Sequence, residues 1–261
     1  MNAVVTPVDA VVIGANPLIA ALCAESNLSK TVTTVDFKLS TKVLKNIYSA
    51  TTTDVIPFIE KHMLTYDINS RVRMAAFLSA CFIMSSGFRR KAESYDFTAC
   101  RLFKESPKVD SYKLATRLVR NGEREIANYL FCFENGNGGI DSDDGWMYRA
   151  RTPLQFRGRT FYQTVNDVTG IDCINHPELL EDPENSIIAA MAHWQAEGYN
   201  EMTDQLKFAN TFELQVKPRK NSSTKDYHSN RMAVKMKKKI SGKTTGIIDF
   251  CEFIESGMLY L

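Results

Sequence analysis

The sequence lacks the paired cysteines that build zinc sites and disulfide frameworks. Its six cysteines contain no CxxC pair and follow no regular spacing. They are Cys23, Cys81, Cys100, Cys132, Cys173 and Cys251. Scattered cysteines of this kind are typical of free, buried thiols in a reducing cytoplasm. We therefore predict neither a disulfide framework nor a zinc-ribbon type of protein.

Histidine is also scarce, with four residues in the 261-residue chain. His62, His176, His193 and His228 share no spacing that would place two of them on one metal ion. We interpret each as a surface or capping residue. The sequence thus predicts no metal and no cofactor.

A long uninterrupted apolar run is missing as well. The rather apolar stretch from Val4 to Ala24 is interrupted by Asp9, Asn16 and Pro17, whereas a spanning helix needs about 20 apolar residues in a row. No basic region precedes the run, as a standard signal peptide would require. We expect a soluble protein without a membrane span, made and used inside a cell.

The chain has little net charge, a formal +2, but the charge is unevenly distributed. Residues 217–243 carry ten lysines and arginines against one acid, Asp226. Such a segment could contact nucleic acid, an anionic cell-wall polymer or an acidic protein surface. The interpretation that we prefer is a solvated helix face, so a nucleic-acid partner is possible but not favoured.

Apolar periodicity predicts a mostly α-helical domain. Spacings of three and four residues from Leu39 to His62 predict two amphipathic helices. Residues 71–84 predict a buried helix that stops at Ser85-Ser86-Gly87. Further helices are predicted over 113–131, 161–169 and 186–198, a helix from Pro17, and a Gly/Asn/Asp-rich loop over 134–146. We divide the chain into an N-terminal extension (1–36), a main domain (37–216) and a basic C-terminal extension (217–261).

Four ordered blocks of the main domain resemble one known family. GWMYRARTPLQFRGRTFY (145–162) is similar to a signature G-W-x-Y-R-G-R-G-x-x-Q-L-T-G-R-x-N-Y, and residues 67–93 are similar to A-A-F-L-A-Q-x-A-H-E-S-G-G-F-R-x-x-x-E. Residues 126–138 and 176–194 match further blocks. The family is the family 19 glycoside hydrolases, which includes chitinases and phage endolysins. The resemblance implies a two-lobed, lysozyme-like helical domain with extensions at both ends.

The same resemblance predicts that the inherited chemistry is incomplete. Inverting hydrolysis of a glycosidic link requires one carboxylic acid and one carboxylate. The position of the family's general acid is Met84 here, and a thioether has no proton to donate. Glu93 stands where endolysin members keep a second glutamate, so a residual carboxylate remains.

Other positions have changed away from residues that suit a sugar site. By the resemblance, Arg157 replaces a Ser/Thr that helps to hold the attacking water, and Phe161 replaces a substrate-contacting Asn. Phe133 and Glu134 stand where an Asn and an Arg are expected. The residues that build the scaffold in these motifs are retained, whereas the residues that carry the chemistry are not. The predicted binding residues are Phe133, Glu134, Trp146, Tyr148, Gln155, Arg157, Phe161 and Tyr162.

These residues predict a catalytically inactive relative that works by binding. The first hypothesis is a phage-encoded scaffold in the cytoplasm of an infected bacterium that binds phage or host proteins, for example as an adaptor or import factor of a large phage's intracellular compartment. The second is an active endolysin that cleaves peptidoglycan, in which Glu134 or Asp144 supplies the acid. The third is a module that holds peptidoglycan without cleaving it.

Overall fold

The computed structural model describes residues 37–206 and 230–261, with four two-residue strands between these ranges. The described residues all belong to one unit, Asp36–Leu261. Its helices, in chain order, are α1 (Thr41–Ile47), α2 (Ile56–His62), α3 (Arg71–Ser85), α4 (Ala99–Glu105), α5 (Tyr112–Asn121), α6 (Glu123–Phe131), α7 (Asp144–Met147), α8 (Arg159–Thr169), α9 (Pro183–Ala196), α10 (Tyr199–Asp204), α11 (Arg231–Ser241) and α12 (Ile247–Tyr260).

Among the residues that the structure describes, β structure is limited to two small antiparallel pairs. Strand β1 (Phe208–Ala209) pairs with β2 (Glu213–Leu214), with Phe208 opposite Leu214. Strand β3 (Lys217–Pro218) pairs with β4 (Lys225–Asp226), with Lys217 opposite Asp226. The fold is therefore mostly α-helical, and its lysozyme-like helical class is confirmed.

Helix α3 is the central helix of the core. Ser70 caps its start by accepting a hydrogen bond from the backbone N–H of Arg73, as N-cap serines commonly do. Residues 74–82 are all buried. The helix ends at Ser86, which adopts a left-handed conformation with φ of 55°. The predicted helix and its stop are thus confirmed.

The last helix, α12, packs along α3. A methyl group added to Gly257 would lie 2.6 Å from Cβ of Ala75, so the two backbones approach closely. Phe253 meets Phe82 with ring centroids 6.1 Å apart. Part of the segment predicted as a C-terminal extension therefore contributes to the same core as α3, while the three-part division itself stays a prediction.

Two further groups of buried side chains lie in different sets of helices. One joins Leu102 of α4 and Leu118 of α5 to Ile126 of α6. The other joins Phe161 and Val165 of α8 to Ala189 of α9. Burial of these apolar faces is the main source of stability in such a domain.

The structure corrects several details of the predicted helices. The region 113–131 is divided by Gly122, whose φ of 98° ends α5 before α6 begins. The predicted loop 134–146 contains a 3-10 turn (Ile140–Ser142) and the start of α7. Helices α4 and α10 were not predicted. The helix predicted from Pro17 lies outside the described residues.

The free thiols agree in part with the prediction of buried cysteines. Cys81, Cys173 and Cys251 are buried, Cys132 is half-buried, and Cys100 is exposed. Burial raises the pKa of Cys81 and of Cys251, so these thiols stay protonated at neutral pH.

Candidate functional site

Glycines in the motif blocks allow the close backbone approaches that shape the site. At Gly145 an added methyl group would lie 2.5 Å from the carbonyl oxygen of Ala127, and at Gly87 it would lie 2.6 Å from the ring of Tyr48. Gly87 also has φ of 74°. Larger side chains would disturb the backbone at both places. The glycines thus hold α7 against α6 and the end of α3 against the loop after α1.

Met84 lies in the last turn of α3 and is half-buried. It lines a cavity of about 490 Å³ together with Gln155, Arg157 and Phe161. The structure therefore brings together four of the positions singled out in the sequence. We call this space the Met84 cavity.

The residual carboxylate, Glu93, is held by a cation and a phenol. Its Oε1 lies 3.0 Å from Nη1 of Arg157, and Tyr95 donates its hydroxyl to Oε2 at 2.7 Å. The backbone N–H of Glu93 donates to the carbonyl of Ala150 at 2.8 Å. Burial, with a further contribution from the charge of Glu93, raises the pKa of Tyr95, so the phenol remains a donor. Glu93 is therefore a paired and positioned anion.

Arg157 is fixed between this carboxylate and an aromatic ring. Its guanidinium carbon lies 4.5 Å from the centroid of Phe131, within the range of a cation–π contact. Its side chain keeps 29% of its surface exposed. The guanidinium of Arg157 thus lies beside Glu93 and presents a charged hydrogen-bond donor to it.

Four of the predicted binding residues are buried. Tyr148, Gln155, Phe161 and Tyr162 are each at most 7% exposed. The Tyr162 hydroxyl donates to the carbonyl of Arg149 at 2.7 Å, and burial raises the pKa of Tyr162 to about 12. The side-chain amide of Gln155 donates to the carbonyl of Thr152 at 2.8 Å. These side chains support the site by packing, and only Gln155 and Phe161 line the Met84 cavity.

Phe133, by contrast, is 80% exposed. Its φ of 59° is unusual for a bulky residue. It lines an open hollow with Tyr129 and Ile140. The neighbouring Glu134 is paired with Lys108 at 2.7 Å. Phe133 is therefore placed as an aromatic contact on the surface, away from the Met84 cavity.

Trp146 is half-buried and covered by a cation. The guanidinium carbon of Arg149 lies 4.1 Å from its ring centroid, and its backbone N–H donates to Oδ1 of Asn128 at 2.8 Å. Trp146 packs against the buried group of α4, α5 and α6. This indole is positioned as a scaffold residue.

The two acids considered as replacement proton donors both have cationic partners. Asp144 is 2% exposed, and Arg159 donates to its two oxygens at 2.7 and 3.0 Å. Glu134 has the Lys108 partner described above. Both carboxylates are thus engaged in ion pairs.

His193 is a site residue that the sequence did not reveal. It is 8% exposed and lines the Met84 cavity, although a surface or capping role was predicted. Its ring lies 4.3 Å from the centroid of Phe156 and 5.0 Å from that of Phe161. Burial lowers the pKa of His193 to about 4, so the imidazole is neutral at physiological pH. Its Nδ1 has no hydrogen-bond partner among the described residues.

The described residues contain no group of three or more His, Cys, Asp or Glu side chains that could hold a metal ion. None of the helices in this part of the chain is long and apolar enough to cross a membrane.

Comparison with known proteins supports the family resemblance through a distantly related protein. No family model matches the chain. A glycosyl hydrolase family 19 domain-containing protein of Haemophilus influenzae is 27% identical over 126 residues, which cover 48% of this chain and 62% of that protein. The match thus spans less than two thirds of the relative's length. The chain is a distant homologue of a family 19 domain-containing protein and is, in fold, glycoside hydrolase-like.

Proposed function

We propose that this protein is a catalytically inactive, family 19-like protein that acts by binding other proteins. The observation that carries the proposal is the side chain at the acid's position. Met84 lines the cavity, and the carboxylate that remains, Glu93, is paired with Arg157 at 3.0 Å. A positioned general acid contributes about 100- to 10,000-fold to such reactions. Without it, the inverting mechanism of the family loses its first proton transfer.

The exposed Phe133 supports a role in protein binding. Aromatic and arginine residues are enriched at protein interfaces. Phe133 presents 80% of its surface to solvent at a backbone conformation that is costly for a bulky residue. We place this function in the cytoplasm of an infected bacterium, with phage or host proteins as partners and with an adaptor or import role for a large phage's compartment as one form of it.

The competing functions make different demands on the site. An active endolysin needs a protonated acid, but Asp144 and Glu134 each have a cationic partner at 2.7 Å. A glycan-binding module needs polar groups that face the sugar, while by the resemblance Phe161, which lines the cavity beside Met84, stands in place of a substrate-contacting Asn. Both observations favour the protein-binding role.

The first prediction is that the purified protein releases no product from peptidoglycan or chitin oligomers. Reducing ends are measured against buffer, with an active lysozyme and an active chitinase as positive controls. Turnover above background that disappears in Glu93→Gln would contradict the proposal.

The second prediction concerns Met84→Glu, with Met84→Gln as the matched control. Restoring the carboxyl alone should yield little activity, because Arg157 still binds Glu93 and Phe161 still fills the sugar-contacting position. The double variant Met84→Glu/Arg157→Ser should exceed the single variant in the same assay. Full turnover by Met84→Glu alone would show that the rest of the catalytic site is intact.

A further inference from the structure

Helix α5 has an apolar side and a basic side. Ala115 and Leu118 are buried and belong to the group of side chains shared with α4 and α6. Because an α-helix turns by about 100° per residue, five exposed residues fall within an arc of about 140° on the other side. They are Tyr112, Lys113, Thr116, Arg117 and Arg120. The helix contains no acidic residue. We call this surface the basic side of α5.

The three cations of this surface are not neutralised by the chain. Lys113, Arg117 and Arg120 have no acidic partner among the residues that the structure describes. The cation that follows the helix, Arg124, is by contrast paired with Asp143. Pairs of opposite charge three or four residues apart stabilise a helix, and α5 has none. The missing partners are those that an anionic ligand would supply.

The position of Lys113 is unfavourable for the helix itself. Lys113 is the second residue of α5, and the first turn contains no acid. The N-terminal end of a helix carries a partial positive charge that repels a cation, whereas a cation in the last turn, such as Arg120, is favoured. Lys113 thus adds charge to the basic side of α5 without stabilising the helix, as expected of a residue that contacts a partner.

Tyr112 places an aromatic ring at one end of the basic side of α5. It is 56% exposed. Its ring contacts that of Phe103 edge to face, with centroids 6.4 Å apart, and this contact orients the phenol. From Tyr112 to Arg120 the helix rises by about 12 Å. An exposed ring and three cations therefore follow one another along one side of a short, capped helix.

We propose that the basic side of α5 binds single-stranded nucleic acid, RNA or DNA. Each nucleotide supplies a phosphate for a cation and a base with a planar face for Tyr112. This combination of contacts is the one used by proteins that bind single strands without sequence preference. An acidic peptide would pair with the same cations, but its carboxylates offer no planar group to Tyr112. In a duplex the bases are already stacked on one another.

The test measures binding of the full chain to a fluorescein-labelled oligothymidine and a labelled oligouridine by anisotropy, over a range of salt concentrations. Affinity for a single strand falls with salt at a logarithmic slope of about 0.7 for each phosphate contact. The variant Lys113→Gln/Arg117→Gln/Arg120→Gln should therefore have a slope smaller than that of the native chain by about 2. Saturable binding of either probe supports the proposal, and the two probes distinguish DNA from RNA. A native chain that binds neither, or an unchanged slope in the variant, would overturn it.

A matched control removes the same charge elsewhere. Lys38, Lys42 and Lys45 are exposed lysines in and just before α1. The variant Lys38→Gln/Lys42→Gln/Lys45→Gln should keep the native affinity and the native salt slope. Glutamine forms helices about as well as lysine and arginine, so both triple variants should retain the native melting temperature. Equal losses of affinity in the two variants would refute a site on α5.

Tyr112 tests whether the bases take part. Tyr112→Ala should weaken binding of both oligonucleotides about fivefold or more, as the loss of one stacked base does, with the salt slope unchanged. Tyr112→Trp keeps a planar ring and should retain the native affinity. A Tyr112→Ala protein that binds as tightly as the native chain would contradict the assignment to nucleic acid.

Competitors separate the classes of anion. A polyglutamate peptide and a linear polyphosphate of equal charge should each displace the labelled strand less effectively than unlabelled oligothymidine. Displacement by the peptide at a lower concentration would identify an acidic protein as the partner instead. Equal displacement by polyphosphate, or tighter binding of a duplex, would also overturn the proposal. Hydrolysis of glycans by the chain would refute the inactive role proposed above and leave this surface unaffected.

Discussion

At the scale of single residues, two phenylalanines that replace the same kind of residue have opposite environments. By the family resemblance, Phe133 and Phe161 both stand where an asparagine is expected, yet Phe133 is 80% exposed and Phe161 only 4%. Phe161 meets Tyr162 and His193 edge to face. Burial of a phenylalanine contributes to folding, while an exposed one is available to a partner.

The third prediction follows from this contrast. Phe161→Ala should lower the free energy of unfolding by about 3–5 kcal/mol, as truncation of a buried phenylalanine does. Phe133→Ala is the matched control and should change it by less than about 0.5 kcal/mol. Urea titrations of both variants measure the difference. Equal losses in the two variants would be inconsistent with the burial of Phe161.

Recovery of partner proteins from infected cells tests whether Phe133 belongs to the binding surface. Phe133→Ala should reduce recovery of a bound protein without a change in melting temperature. Phe103→Ala is the control, because Phe103 is also exposed, at 42%, and lies on α4. An undiminished recovery by Phe133→Ala would remove Phe133 from the binding surface.

The fourth prediction is a pH dependence of stability caused by His193. Its pKa falls from 6.5 to about 4 on burial, with Glu197 and Lys239 as charged neighbours. At pH 7 and above the imidazole is largely neutral in the folded and in the unfolded chain, so its protonation hardly changes the free energy of unfolding. As the pH falls from 6.5 towards 4, the unfolded chain binds a proton that the folded chain does not, so stability decreases and the loss levels off below 4.

The expected loss from this group is about 2 kcal/mol between pH 7 and pH 5, with about 3 kcal/mol at its limit. Unfolding free energies of the native chain and of His193→Phe are compared at both pH values. The variant should lose less on acidification. A parallel decline of the two proteins would show that other groups cause it.

The sequence could reveal Met84 but not His193, for a physical reason. Met84 is identified by its place in a continuous motif. The environment of His193 is made by Phe156 and Phe161, which come from other parts of the chain. Burial that depends on such distant neighbours leaves no local pattern. The pairing of Glu93 with Arg157 was missed for the same reason.

At the scale of elements, α3 was predictable because its apolar run and its stop at Ser86-Gly87 are local features. The break at Gly122 between α5 and α6 was not predicted, although a glycine at positive φ is a common helix end. The sequence of α12 indicates only an apolar segment, and the packing of this helix on α3 is a long-range contact. Tertiary packing, more than local propensity, determines where such a helix lies.

The fifth prediction concerns the contact between α3 and α12. An alanine normally stabilises a helix interior by about 1 kcal/mol relative to glycine. Gly257→Ala should instead destabilise the protein, by about 1–3 kcal/mol, because the new methyl group would lie 2.6 Å from Cβ of Ala75. Thermal unfolding measures the change. Ser256→Ala, one residue earlier on the same helix and half-buried, is the control and should be neutral or slightly stabilising. A Gly257→Ala protein that melts higher would contradict the close approach.

At the scale of the whole molecule, the fold class followed from composition and apolar spacing, and the motif blocks narrowed it to a family 19-like domain. Which motif residues face the cavity did not follow. The predicted binding residues separate into the buried group around Tyr162, the cavity residues Gln155 and Arg157, and the exposed Phe133. A motif specifies which residues are adjacent in sequence, while exposure depends on the packing of all helices.

The close packing of α12 on α3 also bears on the timing of biosynthesis. Chains are synthesised from the N-terminus at about 5–20 residues per second, and domains generally fold as units. Helix α3 is made early, but its partner surface around Gly257 is translated only after the rest of the described domain. Until then the apolar side of α3 near Ala75 remains without its native cover. We therefore expect a ribosome-bound chain that has not yet reached α12 to recruit chaperones, and a chain in which α12 has emerged to release them.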